Sequence, residues 1–358
     1  MALYQFIKVL NRKKMKKKFV LALLSSFFFV AACKDHNMDM LNINYPAVYV
    51  VSGQDNYIDV VNLNNGNHED HIELNGATFP HHIYFNSDKS KMAVAITSTD
   101  LSAGHAGHGA SASGYKIMII NAVTGMTEKE LPLSKMPHNA VFSPNGNELW
   151  VGQSDTTQSQ ILVYRTNDWS VQNTINVGRG LSEITFSVDG SMAFACNTTD
   201  GTVSMISPSD KSIHNTIAVG QNPVGAWPAD NGKMYVDNEA SQSISEISVA
   251  GMNITETIVL NYTPAYVAYH SASQELWISD ASNGKIHYYS YNLAMSMWMQ
   301  TGEFSTGANA HAIAFANNGK AYISNQNANT LSIVDIASHT VEQNINVGAK
   351  PNGLAIKQ

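Results

Sequence analysis

Histidines recur at one position of a repeated pattern in the chain. The residue that follows the start of each copy is His81, His138 or His311 in three copies and Glu183 in a fourth. Histidine makes up only 13 of the 358 residues, so three histidines in equivalent positions exceed what composition alone would give. Imidazole and carboxylate groups bind Zn²⁺ and Cu²⁺, and they also transfer protons. The pattern therefore predicts either a metal site or a polar binding surface, provided that the fold brings the copies together.

Two further histidines lie in the longest insertion between the repeats. The segment from Thr97 to Gly114 carries His105 and His108 among Gly, Ala and Ser residues. Such a composition favours a flexible loop. We expect this loop to lie above the repeated histidines, where His105 and His108 either add ligands to a Cu or Zn site or form a polar loop without metal.

The histidines sit at the start of a repeated four-strand unit. Each copy has a short apolar strand, a turn rich in Gly, Asp, Asn or Ser, and three further strands. The last strands nearly repeat, as "NTINVG", "NTIAVG" and "QNINVG". Four strands in roughly 40–45 residues are typical of a β-propeller blade. The copies start at Pro80, Pro137, Ser182, Pro223, Pro264, Ala310 and Pro351.

The two ends of the chain complete one blade. Residues 45–78 hold the second, third and fourth strands of a unit, and residues 351–357 hold only a first strand. The sequence thus predicts an all-β fold, a seven-bladed β-propeller of four-stranded antiparallel blades over residues 45–358. The ring is closed by pairing the C-terminal strand with the N-terminal blade, so that no sheet edge is left free at the ends of the chain. The first strands then line the central channel, and all copies start at one face, called the top face here.

Short motifs in the repeats resemble a known family. Residues 322–325 read "YISN", residues 331–335 read "LSIVD", residues 235–238 read "YVDN" and residues 143–146 read "SPNG". These motifs resemble the YVTN-type propeller repeats, which are akin to the cytochrome d1-like and quinoprotein-like propellers. The resemblance covers about residues 45–358 and implies a seven-bladed propeller. It implies no single activity, because this scaffold carries enzymes, sensors and binding modules.

The N-terminus resembles a bacterial lipoprotein signal. A lysine-rich stretch precedes "FVLALLSSFFFVAAC", and translation starts at either Met1 or Met15. A basic segment followed by a short apolar stretch and small residues is typical of a cleaved secretion signal. We predict that residues 1–32 are removed, that Cys33 is lipidated and that residues 33–44 form a linker. The expected location is the outer membrane of a Gram-negative cell envelope, on its periplasmic or outer surface.

The charge of the mature chain limits its partners. Residues 1–32 contain seven of the 21 basic residues and none of the 28 acidic ones, which leaves 14 basic and 28 acidic residues, a net charge of −14. We expect no nucleic-acid binding from such an acidic chain. The membrane is instead reached through the lipid on Cys33. Cys196 is the one other cysteine, so no disulfide forms within a chain.

These observations support two classes of function. In the first, the protein is a cell-envelope scaffold that binds a protein or small-molecule ligand through its top face. In the second, it is a Cu- or Zn-binding protein, or an oxidoreductase-like or hydrolase-like propeller, that uses the histidines at the channel mouth. No catalytic motif separates the two, so enzymatic activity stays an open question.

Two expectations concern neighbouring residues. We expect His82 to point away from His81, because successive side chains alternate along a strand. We also expect Trp298, together with Met295, Met297 and Met299, to form an exposed apolar patch that contacts a partner.

Overall fold

The computed structural model describes residues 41–102 and 114–358. Cys33, His105 and His108 lie outside these residues. In the described part, 28 strands form seven four-stranded antiparallel sheets. Each sheet is one blade, so the predicted seven-bladed propeller is confirmed. No helix in the described part of the chain has the length and apolar character needed to cross a bilayer.

Blades 1 to 4 follow the order of the chain, with the first strand of each innermost. Blade 1 contains β4 (Pro80–Phe85), β5 (Lys91–Ile96), β6 (Lys116–Asn121) and β7 (Thr127–Pro132). Blade 2 contains β8 (Ala140–Phe142), β9 (Glu148–Gln153), β10 (Ser159–Arg165) and β11 (Val171–Val177). Blade 3 contains β12 (Leu181–Phe186), β13 (Ala193–Asn197), β14 (Thr202–Ile206) and β15 (Ile213–Ala218). Blade 4 contains β16 (Pro223–Pro228), β17 (Lys233–Asn238), β18 (Ser243–Ser248) and β19 (Asn253–Val259).

Blades 5 to 7 complete the ring. Blade 5 contains β20 (Pro264–His270), β21 (Glu275–Asp280), β22 (Lys285–Asn292) and β23 (Met297–Ser305). Blade 6 contains β24 (Ala310–Phe315), β25 (Lys320–Asn325), β26 (Thr330–Asp335) and β27 (Thr340–Asn346). Blade 7 contains β28 (Pro351–Lys357), β1 (Ala47–Ser52), β2 (Tyr57–Asn62) and β3 (His68–Glu73).

Blade 7 is built from both ends of the chain. The C-terminal strand β28 pairs antiparallel with β1, with Ala47 opposite Lys357 and Val50 opposite Leu354. Strand β28 and strands β1 to β3 therefore form blade 7, which closes the ring with blades 1 to 6. This closure confirms the prediction that the C-terminal strand completes the blade formed by the three N-terminal strands.

The core lies between blades. Second strands are the most apolar, and all six residues of β1, "AVYVVS", are buried. Large aromatic side chains fill the gaps between neighbouring blades: Trp150 and Trp277 are fully buried, and the Trp150 ring meets the Phe186 ring edge-on at 5.2 Å. Burial of such side chains supplies much of the stabilisation of a fold without helices. Fourth strands are mostly exposed, and in β19 only Ile258 is buried.

First strands carry an irregularity that matters for the site. In β4, Pro80 lies opposite Ile96 and Ile83 lies opposite Val94. The chain therefore advances three residues along β4 where it advances two residues along β5. This extra residue is a β-bulge, which breaks the alternation of side chains. Similar register shifts occur in β12, β16, β20, β24 and β28. At the top of the channel, two consecutive residues can therefore face the same way.

Candidate metal site in the channel

Three buried imidazoles meet where β4 and the start of blade 2 approach each other. His81, His82 and His138 are at most 4% exposed, and one potential ligand atom of each lies within 4.8 Å of the others. Nε2 of His81 lies 3.2 Å from Nε2 of His138. In the described part of the chain, no second group of three His, Cys, Asp or Glu side chains comes this close. Buried, converging imidazoles are the donor set that proteins use for zinc and copper.

Glu183 approaches two of these imidazoles from blade 3. Its Oε1 lies 3.0 Å from Nε2 of His82 and 3.4 Å from Nδ1 of His138, and the side chain is fully buried. Its other oxygen, Oε2, accepts a hydrogen bond of 3.3 Å from the hydroxyl of Tyr84. A buried carboxylate is stable only when charge or hydrogen bonds compensate for lost water. Here the Tyr84 hydroxyl donates to Oε2, and the ring nitrogens of His82 and His138 face Oε1.

The closing strand contributes to the same cluster. Asn352 on β28 is buried, and its amide Nδ2 lies 2.5 Å from Nδ1 of His81. His81, His82 and His138 thus each have a carboxylate or amide beside one ring nitrogen. In metal sites, such contacts hold the ring in place and fix which nitrogen faces the ion.

The distances fit two chemical states of the cluster. Without metal, the amide of Asn352 donates to His81, and Nε2–H of His81 donates to His138, whose Nδ1 lies 3.4 Å from Oε1 of Glu183. With a metal ion at this place, both Nε2 atoms would be ligands. Nitrogens in a tetrahedral site with bonds of about 2.0–2.1 Å lie about 3.3 Å apart. That value is close to the observed 3.2 Å.

The side-chain amide of Asn352 can form a hydrogen bond with His81 in both states. Metal binding through Nε2 of His81 leaves the proton on Nδ1, which then needs an acceptor. Rotation of the Asn352 amide by half a turn would present its oxygen instead of its nitrogen, and the two orientations differ little in shape. The Asn352 side chain can therefore support both states without movement of the backbone.

His82 contradicts the expectation from strand alternation. We expected it to point away from His81, but it is 4% exposed and contacts Glu183 at 3.0 Å. The reason is the bulge between Pro80 and Ile83, which adds a residue to β4. The two consecutive histidines after Pro80 were the sequence signal for a site that uses both rings. Regular strand alternation predicted instead that the two rings point in opposite directions.

Glu183 also occupies a different position from the one that the sequence suggested. Leu181, not Ser182, pairs with Asn197, as Pro223 pairs with Asn238 in the next blade. Leu181 is thus the true start of the unit, and Glu183 corresponds to His82 rather than to His81. A left-handed residue before the start marks this register: φ is 67° at Gly180 and 56° at Asn222.

His311 lies beside the cluster but not in its inner group. Its ring centroid is 6.4 Å from that of His82 and 6.4 Å from that of Tyr266. It also lines a top-face cavity of about 460 Å³. This volume is in the range of small-molecule sites. The remaining lining residues are mostly polar or small: Leu101, Ser102, Glu239, Thr263, Pro264, Ala265, Ala281, Ser282, Asn309, Gln326, Asn327 and Lys350.

The described stem of the long insertion reaches this face, as expected. Leu101 is 5% exposed and packs with Tyr115 and Met136. The same residue lines the cavity next to His311 and a narrow crevice beside His81. The stem therefore covers part of the channel mouth. His105 and His108 lie beyond it, outside the described residues, and their predicted role as ligands stays a prediction.

Two tyrosine hydroxyls, those of Tyr84 and Tyr266, lie near Glu183. Burial, and next the charge of Glu183, raises the pKa of Tyr84 well above its usual range. Tyr266 has its pKa raised by burial first and then by Glu183 and Asp237. Both hydroxyls stay protonated at any physiological pH. Sequence analysis did not single out Tyr84, Tyr266 or Asn352 as functional, because their types alone give no signal.

No protein-family model matches the chain, and no curated protein matches it. Among solved structures it is similar to a putative 6-phosphogluconolactonase from Bacteroides uniformis, with TM-score 0.70, 12% identity, and coverage of 87% of this chain and 99% of that chain. It is similar to the periplasmic gluconolactonase PpgL of Pseudomonas aeruginosa, with TM-score 0.67, 13% identity and coverage of 87% and 99%.

A third similar structure is the dihydro-heme d1 dehydrogenase NirN, with TM-score 0.59, 13% identity, and coverage of 86% of this chain and 74% of that chain. At such identities, structural similarity shows the fold and not the activity. The YVTN-type assignment stays a resemblance of motifs, while the fold is that of the seven-bladed β-propellers.

Proposed function

We propose that this protein is a metal-binding propeller that holds one Zn²⁺ or Cu²⁺ ion in the top of its channel. The ligands are Nε2 of His81, Nε2 of His138 and the ring of His82. The observation that carries this proposal is the approach of three buried imidazoles to within 4.8 Å. No thiolate lies in the set, and nitrogen ligands suit Zn²⁺ and Cu²⁺ better than Cu⁺.

The surroundings of the three rings support ligation. Glu183 faces the ring nitrogens of His82 and His138 that point away from the ion, and Asn352 faces that of His81. Proteins commonly place a carboxylate or amide oxygen behind a metal-bound histidine, which raises the basicity of the ligand. The negative charge of Glu183 also offsets part of the charge of a buried divalent ion.

Three protein ligands leave a fourth coordination position for water or a substrate. Zinc in such a site acts as a Lewis acid and lowers the pKa of a bound water, whereas copper supports electron transfer or oxygen chemistry. The similar structures described as a gluconolactonase and as a dihydro-heme d1 dehydrogenase are consistent with either use. The same centre would support hydrolase-like activity with zinc or oxidoreductase-like activity with copper.

The test is a metal measurement on untagged protein. Apo-protein is loaded with Zn²⁺ or Cu²⁺, freed of excess ion and analysed by mass spectrometry of the elements. We expect about one ion per chain in the wild type, and a loss of affinity of at least about 100-fold in His138→Ala and in His82→Ala. Circular dichroism confirms that each variant is folded.

His311→Ala is the matched control. It removes a buried imidazole from the same channel, but from outside the inner group. We expect it to keep most of the affinity. Failure of the wild type to retain either ion, or equal losses in all three variants, would contradict the assignment of the ligands.

A second candidate function is ligand binding through the top face without metal. The polar cavity of about 460 Å³ beside His311 favours a small molecule or a protein loop as the ligand. Calorimetric titration of candidate ligands against metal-free protein tests this alternative. Binding that is unchanged by His138→Ala would favour the scaffold over the metal site.

We also propose that the protein is a lipoprotein anchored through Cys33 in the outer membrane. The lysine-rich segment, the apolar stretch and "VAAC" support this location. Mass spectrometry of the N-terminal peptide from membranes tests it, since lipidation adds acyl chains to Cys33. A soluble chain that retains residues 1–32 or an unmodified cysteine would contradict the anchor.

A further inference from the structure

One hairpin extends beyond the others at the outer rim of blade 5. Strands β22 and β23 have eight and nine residues, whereas the corresponding strands of blade 6 have six and seven. Each residue adds about 3.3 Å along a strand, so the hairpin extends roughly 7 Å further.

The end of this hairpin is apolar and uncharged. Residues 291–299 read "YNLAMSMWM" and contain no charged residue. The exposed fractions are 41% for Tyr291, 86% for Leu293, 60% for Met295, 43% for Met297 and 40% for Met299. These five residues are called the apolar tip. Exposed apolar side chains that cluster on one protrusion indicate a contact surface.

The apolar tip differs from the patch that the sequence predicted. Trp298 is only 6% exposed and donates a hydrogen bond of 2.8 Å to Glu246. Its ring packs against Tyr235 and Tyr269, so it anchors the hairpin from within. The three methionines, by contrast, are exposed as expected.

The apolar tip lies on the face opposite to the channel mouth. In each blade the turn between third and fourth strands lies at the bottom, because the units start at the top and their strands alternate in direction. The described chain also begins at the bottom. Ile43 donates its backbone N–H to Val123 in the turn between β6 and β7, at 2.9 Å. Leu41, the first described residue, lies beside Gly125 in the same turn, so the described chain starts on the face that carries the apolar tip.

The distance from this face to a lipid on Cys33 is limited. Residues 33–40 are eight residues, which span at most about 29 Å even when fully extended. If Cys33 is lipidated, as proposed above, the bottom face cannot move far from the bilayer. The expected net charge of −14 gives no attraction to an anionic surface. Apolar contact is then the available means of holding the domain against lipid.

We propose that the apolar tip inserts into the surface of the bilayer that holds the lipid anchor. Leu293 and the methionines would enter the boundary between head groups and acyl chains, and Tyr291 would remain at the level of the head groups. This contact orients the propeller. The channel mouth with His81 and His138 then faces away from the membrane, open to ligands in the aqueous phase.

The test uses the full lipidated chain in phospholipid vesicles that carry nitroxide quenchers on their acyl chains. Ser296→Cys, beside the apolar tip, is labelled with an environment-sensitive fluorophore, and the fully buried Cys196 is not expected to react. We expect a blue shift and at least about twofold quenching by the nitroxide lipids. Ser282→Cys, in a top-face turn of the same blade, is the matched control and should show neither effect.

Two double substitutions distinguish insertion of the apolar tip into the bilayer from contact of the tip with a protein. Leu293→Glu with Met295→Glu should abolish the quenching at position 296, whereas Met295→Leu with Met297→Leu should preserve it, because leucine keeps the apolar surface. A vesicle-bound chain whose label remains in water would overturn the proposal and favour a protein partner or a second copy. An unmodified Cys33 in the same sample would overturn the anchor as well, and the peptide mass distinguishes the two failures.

Discussion

The two sides of the central channel have the same backbone and different chemistry. On one side, here the histidine side, the strands β28, β4 and β12 and the segment before β8 present imidazoles, an amide and a carboxylate. On the other side, the tyrosine side, β16 and β20 present Val224, Gly225, Ala265 and Tyr266 at the same positions. Both sides contain the same kind of bulge, at Pro80–Ile83 and at Pro223–Ala226. The repeat therefore supplies the geometry, and a few substitutions on one side supply the site.

The tyrosine side shows what these positions do without a metal-binding role. The Trp227 ring lies 3.8 Å from the Tyr266 ring, and its N–H donates a hydrogen bond of 2.7 Å to Asp237. The same carboxylate accepts the N–H of Gly225 within the bulge, at 3.0 Å. These contacts close the channel wall and leave no converging nitrogen atoms. The comparison indicates that the polar groups of the histidine side are not needed to hold the ring together.

The strongest way to sharpen this comparison is to remove the charge behind the ligands. Glu183→Gln keeps the shape of the side chain but withdraws the negative charge that faces His82 and His138. We expect metal affinity to fall by about 10–100-fold, since carboxylates of this kind hold the rings and raise their basicity. Competition titration with a chromophoric chelator measures the change. Tyr84→Phe, which removes only the partner of Oε2, should change affinity little, and an equal effect of both would contradict the role of Glu183.

A second prediction compares one bulge position on the two sides. A Cβ atom on Gly353 would lie 2.9 Å from Cα of His82, whereas one on Gly225 would lie 2.3 Å from the Trp227 ring. Gly353→Ala should destabilise the fold by about 1–3 kcal/mol and also weaken metal binding, because it pushes β28 away from β4. Gly225→Ala should destabilise the fold without affecting metal.

Denaturant unfolding and metal titration of the same samples separate these effects. If Gly225→Ala weakens metal binding as much as Gly353→Ala does, the two sides are coupled, and the independence inferred above is wrong.

A third prediction concerns the amide of the closing strand. Asn352→Ala removes the partner of Nδ1 of His81 and should lower metal affinity by about tenfold, at the lower end of such effects. Asn352→Asp provides an oxygen in either orientation and should bind at least as tightly as the wild type. The same chelator titration measures both variants. A loss in Asn352→Asp equal to that in Asn352→Ala would show that the residue acts only through packing.

The smallest expected effect lies on the tyrosine side. Burial, and next the charge of Glu239, raises the pKa of Asp237 well above its usual range. The folded state therefore retains a proton that the unfolded chain releases above about pH 4. The contribution of Asp237 to stability is highest below that pH and falls as the pH rises towards the pKa of this carboxyl in the folded state.

Asp237→Asn removes this dependence. We expect the variant to match or exceed the wild type at pH 7 by about 1 kcal/mol, and to lose that advantage near pH 4. Urea unfolding at the two pH values measures this, and metal affinity should not change. A variant that is less stable at pH 7 would show that the charged carboxylate is needed for its bonds to Trp227 and Gly225.

The sequence by itself determined the ring. The period and the turns followed from the recurrence of apolar strands, and the blade made from both ends followed from the eight residues left over at the C-terminus. Such local patterns are sufficient because each blade must bury both of its faces against its neighbours. The recurrence of His81, His138 and His311 could also be recognised without coordinates, since equivalent positions in a ring lie near one another.

Only the tertiary structure decided which side chains converge. The bulge added one residue to β4 and turned His82 towards Glu183, although strand alternation predicted the opposite. The true register of β12 moved Glu183 by one position, and β28 brought Asn352 to His81 from the other end of the chain. A shift of one residue reverses the face that a side chain occupies. The period and the composition of the sequence cannot determine this register. The register depends on hydrogen bonds between strands that are distant in sequence.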